Sequence, residues 1–322
     1  MRRILPALGL ALLSPLVAEF LLGDFPLTHL PFLVMLAPTY GGAAVVIREV
    51  ARRKGLGWPA IVLMALAYGV LEEGVMTMSL FNPDYAGQRL LDPGYVPFLG
   101  IGVPWTLFVL GLHTVWSVCV PIALVEELAG DRRTTPWLGR AGLGVTAALA
   151  TLGAVAVTVF SYGNGHFLAS APQLTAVAVI VAGLVAAAFR LPSAPPAPGR
   201  AAPSPWTVFT AALAAGGLFE LSTLADLPVW AVIATLAAAE AGIAVLVLRW
   251  SAGRGWGGGH RVALAGGALL TYAWHAFFSG PLVPTTPAMN LASHVVFGAG
   301  AVALLLVAAR RTARRTLRVQ SR

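Results

Sequence analysis

The sequence predicts an all-α fold: a polytopic transmembrane bundle of about ten helices with both termini on the cytoplasmic side. Composition comes first. Of 322 residues, 58% are hydrophobic and only 11% charged, and the mean hydropathy is +0.80. A soluble domain has roughly 45–50% apolar and about 25% charged residues. Second, the apolar residues come in runs of about 18 or more, long enough to cross the hydrocarbon of a bilayer as helix. Third, the basic residues are placed asymmetrically between those runs.

The expected helices are 4–22, 30–48, 58–81, 105–125, 141–162, 173–190, 206–223, 228–248, 262–279 and 289–309. The first, within MRRILPALGLALLSPLVAEF, has the basic start and apolar middle of a signal peptide. Its small-x-small pattern before Glu19 is poor, so a retained helix is expected. With the N-terminus cytoplasmic, basic residues close the second helix (Arg48, Arg52, Arg53, Lys54) and follow the fourth (Arg132, Arg133, Arg140). The sixth helix leads into Arg190 and Arg200, the eighth into Arg249, Arg254 and Arg261, and the tenth into the tail from Arg310 to Arg322. Twenty of the 21 Lys and Arg fall on one side, Arg89 being the exception. That regularity fixes the expected orientation in a plasma membrane, and the Ala-, Arg- and Gly-rich composition fits a bacterial source.

The proline-rich segment LPSAPPAPGRAAPSPW, 191–206, reads as an extended cytoplasmic linker. It divides a six-helix bundle (1–190) from a four-helix bundle (207–309), which the basic tail 310–322 follows. VAEFLLGDFP around Glu19 resembles LFELSTLADLP around Glu220, and Arg48 and Arg249 keep the same spacing of 201 residues. The first four helices are therefore a candidate repeat of the last four, an arrangement common in transporters. The single cysteine, Cys119, excludes an internal disulfide. The net charge of +8 is spread over loops and tail. It points to anionic lipid headgroups as partners, with no nucleic acid.

Ionisable groups inside spans are costly and usually functional. Here they are Glu19, Glu72, Glu73, His113, Glu220, Glu240, His275 and His294. Glu72, Glu73, His113, His275 and His294 fall in the outer half of the bilayer and form the candidate catalytic cluster. Adjacent helical residues point about 100° apart, so one glutamate of YGVLEEGVMTM should face the cluster while the other supports it. Glu73 shares a face with Gly69 and Thr77, His113 with Ser117, His275 with Thr271 and Ser279, and His294 with Asn290. A glutamate in low dielectric serves as general base, and histidines orient water, hold an oxyanion or bind metal. No compact metal-binding spacing such as HExxH is present, so cofactor and metal stay open. Glu126 and Glu127, next to Asp131, Arg132 and Arg133, read as solvated charge at a cytoplasmic end.

GVLEEG on one membrane helix with histidines on later ones resembles the CPBP family of intramembrane endopeptidases, which includes CAAX-processing proteases and Abi proteins. That family carries EExxxR, FxxxH and HxxxN or HxxxD motifs. The resemblance implies water activation by glutamate and histidine for peptide hydrolysis. Here Glu72 and Glu73 match the paired glutamates, and His113 matches the second motif. Thr77 stands at the arginine position, Val109 at the phenylalanine, and Asn290 precedes His294 instead of following it. The chain also resembles uncharacterised bacterial multi-pass membrane proteins with an EEG…SLFNP segment. An intramembrane hydrolase is thus the expected function, with a proton-coupled transporter or a non-catalytic scaffold or sensor as alternatives.

Overall fold

The computed structural model describes residues 4–191 and 200–320. Residues 192–199 of the proline-rich linker and the ends of the chain lie outside the described residues. The described residues form ten helical rods: α1 (Leu5–Leu21), α2 (Leu27–Arg53), α3 (Trp58–Met76), α4 (Val103–Arg132), α5 (Arg140–Gly165), α6 (Ala171–Arg190), α7 (Pro205–Leu224), α8 (Val229–Ser251), α9 (Gly258–His275) and α10 (Pro287–Gln320). Among the described residues, eight helices are long and apolar enough to cross a membrane. This is an all-α polytopic bundle. The only sheet among the described residues is a hairpin of β1 (Tyr95–Val96) and β2 (Ile101–Gly102) in the α3–α4 loop.

Burial separates the helices into an interior and a rim. In α3 and α4, 67% of the apolar window is buried, against 6% in α5 and 11% in α6 and α8. Helix α4 is the hub and touches α1, α2, α3, α8, α9 and α10. The rim helix α5 leans on α2 and α3, and α6 leans on α3. Rim surfaces such as Leu152, Val159 and Phe160 are exposed, as lipid-facing residues must be without a hydrophobic drive to bury them. Small residues set the closest approaches: a Cβ on Gly41 would lie 2.0 Å from the Ala11 carbonyl oxygen of α1. Helix α7 lies along α8 and α9, and α1 lies along α2 and α4.

Four helices carry a π-helical segment: Leu16–Leu21 in α1, Ala37–Gly41 in α2, Glu72–Met76 in α3 and His113–Cys119 in α4. Helix α3 was expected to run to residue 81 but stops at Met76. Met78 takes a left-handed backbone (φ 58°), and the Leu80 N–H turns back to the Glu73 carbonyl. The tail expected at 310–322 instead prolongs α10 as helix to Gln320.

The basic ends of the helices meet in a buried ion-pair network. Arg48 is fully buried; its guanidinium donates to Glu49 at 2.6 Å, to Glu126 at 3.0 Å and to the Arg133 carbonyl at 2.7 Å. It also lies 3.4 Å from the Trp137 ring centre. Arg52 binds both oxygens of Glu126 at 2.7 Å, and Arg261 binds Glu127 at 2.6 Å. Glu126 and Glu127 were expected to be solvated charge; both are buried. Arginines from α2 and α9 supply the counter-charge that makes this burial tolerable. Glu49 completes the network by accepting the Trp137 and Leu138 N–H groups at 2.8 and 3.2 Å. Removing one partner of such a network strands its carboxylates. Arg48→Met is expected to cost about 3–5 kcal/mol, measured as unfolding free energy in bicelles. A loss below about 1 kcal/mol would show that the network is not what joins these helix ends.

Candidate functional site

The π-helical segments converge. From α3 come Glu72 and Glu73, from α4 His113 and Ser117, from α2 Tyr40, and from α1 Glu19. π-segments are rare and recur at functional sites, because the extra residue in the turn re-aims side chains. Here it places both glutamates on the same imidazole. His113 Nε2 lies 2.7 Å from Glu73 Oε1 and 2.7 Å from Glu72 Oε2. The sequence reading, based on regular α-helix, had aimed the two apart. The hydrogen bond runs to Glu73, and Glu72 Oε2 has no hydrogen of its own.

The surrounding contacts lock this arrangement. His113 Nδ1 shares a hydrogen bond of 3.1 Å with Ser117 Oγ, as their four-residue spacing implied. Ser14 Oγ of α1 donates to the Ser117 carbonyl at 2.5 Å. Glu73 Oε2 accepts from Thr77 Oγ1 at 2.9 Å and from Ser79 Oγ, which takes a further bond of 3.0 Å from Trp105 Nε1. The Tyr40 hydroxyl hydrogen bonds with both Glu19 and Glu72. Its ring stacks on His113 at 6.0 Å, and Tyr68 meets the same imidazole edge-on at 6.3 Å. Space for the pair comes partly from Gly69, where a Cβ would sit 3.2 Å from the His113 Cβ.

The loop 77–102 covers the outer end. Its Tyr85 lies close enough to Glu73, Glu72 and Glu19 that their charge, together with burial, pushes its hydroxyl above the ordinary value. Beside the site, a cavity of about 230 Å³ separates α2, α3 and α5, lined by Thr39, Ala43, Tyr68, Leu71, Met76 and Ala150 among others. Thr39 Oγ1 and the Tyr68 hydroxyl are buried there without a hydrogen-bond partner. The cavity thus has an apolar wall, two polar atoms and a helix on the lipid-facing rim.

His275 and His294 stand elsewhere. His275 Nδ1 lies 3.2 Å from Glu220 Oε2, and His294 packs against Phe277 with ring centres 5.4 Å apart. A Cβ on Gly23 would be 3.1 Å from His294 and 3.3 Å from Ser279. The neighbours on their helical faces are engaged otherwise: Thr271 donates to the Gly267 carbonyl and Ser279 to that of Leu22. Glu240 Oε1 rests against Gly111 without a hydrogen-bond partner. Between the two regions sits Asp24, on the α1–α2 link. Burial, with Glu19 and Glu220 nearby, pushes its carboxyl well above 3.8. Tyr40, Ser79 and Trp105 carried no signal as site residues, since aromatic and hydroxyl side chains near span ends are ordinary belt and capping residues.

One atom each of Glu72, Glu73 and His113 lie within 4.8 Å of one another, a set able to hold a metal ion. Two carboxyl groups meet one imidazole, with Glu19 nearby. Acidic groups outnumber the one basic group, so the site can take up a proton or a cation.

Asp24 allows a test by pH. A carboxyl whose folded-state value is raised contributes stability that is full below its unfolded value and lost as pH rises through the folded one. Asp24→Asn removes that loss. The variant is expected to gain thermal stability over the wild type as pH rises above the ordinary carboxylate range. Parallel pH profiles for the two proteins would contradict the buried placement of Asp24.

No curated protein and no solved structure matches the chain. A model of a family described as an uncharacterized membrane protein family matches residues 8–319. No model of the glutamate/histidine proteases whose motifs the sequence resembles matches the chain, and the match that is found spans nearly the whole bundle. The chain therefore belongs to this uncharacterized membrane protein family.

Proposed function

We propose that the protein is an intramembrane hydrolase of the glutamate/histidine type, acting on an amide bond of a membrane-embedded peptide. The observation that carries this reading is the meeting of Glu72 and Glu73 at His113 Nε2, both at 2.7 Å, next to a cavity in the bundle flank. Glu72 Oε2, which has no hydrogen of its own, is the acceptor for a water proton. As the water oxygen adds to the amide carbon, Glu72 takes its proton and later passes it to the leaving amine. His113, held between Ser117 and Glu73, keeps Glu72 in place against the water. Glu73, held by Thr77 and Ser79, is the positioning residue. Substrate enters between α2, α3 and α5, past Tyr68 and Thr39. The hydrolase would sit in the plasma membrane with its basic end inward, as the distribution of arginine predicts.

The transporter reading rests on a different observation, the series Glu19, Asp24 and Glu220 that links the two regions of the bundle. The two readings separate experimentally. Protein in liposomes is offered a panel of fluorogenic transmembrane peptides. The wild type is expected to cleave at least one, with Glu72→Gln and His113→Ala at least about 100-fold slower and still folded. Absence of cleavage across the panel, together with Glu72-dependent proton uptake into the liposomes, would replace the hydrolase with a transporter.

A further inference from the structure

At the basic end of the bundle, α4, α9 and α10 enclose a second cavity of about 430 Å³. Its lining includes Arg133, Arg261, Arg315, Glu127, Trp256 and Gly258. Three guanidinium groups therefore face one carboxylate, an excess of two positive charges. Glu127 is already matched: Arg261 reaches its Oε1 through Nε and Nη2, both at 2.6 Å. Arg315 Nη1 donates to the Glu127 carbonyl at 2.7 Å, which aims its guanidinium across the cavity mouth. Arg133 gives its carbonyl to Arg48, and that contact leaves its side chain uninvolved.

The start of α9 adds to this. Gly257 and Gly258 line the cavity, so it lies at the positive end of the α9 helix dipole. Glycine is required at 258, because a Cβ there would lie 2.6 Å from both Glu127 Oε2 and the Thr312 methyl. Trp256, stacked on His260 at 4.9 Å, forms an aromatic wall, and exposed Thr316 stands at the rim. Guanidinium forks, helix N–H groups and an aromatic wall together match the tetrahedral oxygens of a phosphate ester next to an apolar body.

We infer that this cavity binds a phosphate group, supplied either by an anionic phospholipid headgroup or by a free phosphate compound. Full-length protein in neutral detergent is examined by native mass spectrometry with phosphatidylglycerol, phosphatidylcholine and inorganic phosphate as probes. Two variants report on the pocket without breaking the Glu127 pairs: Arg133→Gln, and Thr316→Asp at the exposed rim. Retention of phosphatidylglycerol over phosphatidylcholine, weakened about tenfold in both variants, is expected for a headgroup site. Binding of inorganic phosphate with the same dependence on both variants supports the pocket and assigns it to a free phosphate compound. Equal retention of the two lipids with no phosphate bound overturns the inference, as does binding unchanged in both variants or no binding of any probe.

Discussion

Two carboxyl groups gathered on one imidazole, with a third nearby, inside an apolar bundle is the constraint around which this protein is organised. Glu19, Glu72 and Glu73 come from two helices, and Tyr40 from a third bonds with two of them. Burying unmatched carboxylate is expensive, so each oxygen must find a hydrogen or lie beside a cation. The hydroxyls of Thr77 and Ser79 donate to Glu73 and meet part of that demand. The bundle adapts its backbone to the same end: α1, α2, α3 and α4 each open into a π-turn at the level where they deliver a site residue. A regular helix would hold the same residues but aim them differently. The departures from ideal geometry are concentrated where the polar groups are, consistent with strain tolerated for function.

The basic end shows the opposite solution to the same problem. There Arg48, Arg52 and Arg261 neutralise Glu49, Glu126 and Glu127, and the result is a closed electrostatic seam between α2, α4 and α9. Comparing the two ends separates structure from chemistry. A carboxylate paired with arginine has little capacity left for a substrate. Glu72 faces only a shared imidazole and a tyrosine, and so keeps an oxygen available for reaction. Glu220 and His275 form a smaller version of this unbalanced kind, with no arginine among their contacts.

Much of the architecture was legible from the chain. Apolar runs and arginine placement located the ten helices, though not the ends of α3, α4 and α10, because membrane burial and charge asymmetry act on long stretches at once. The pairings of His113 with Ser117 and of Glu73 with Thr77 were also readable, since each is a four-residue contact on one helical face. Contacts between distant helices were not. Nothing local in VEELAGDRR reveals that Glu126 meets Arg48 from 78 residues away, so its burial was missed. His275 looked equivalent to His113 by depth, yet its carboxylate contact is Glu220; depth along a helix says nothing about the direction a side chain takes. The π-turns were hidden for a related reason: an extra residue per turn follows from the polar groups finding one another, which is a property of the assembled bundle.

The central claim is that Glu73 and His113 act as one coupled unit. A double-mutant cycle tests it directly, with Glu73→Gln, His113→Ala and the double variant unfolded reversibly in bicelles. Contact at 2.7 Å between buried groups predicts a coupling energy of about 1–3 kcal/mol. Effects that add within about 0.5 kcal/mol would mean the two side chains do not meet, and the site built on that meeting would fall with them.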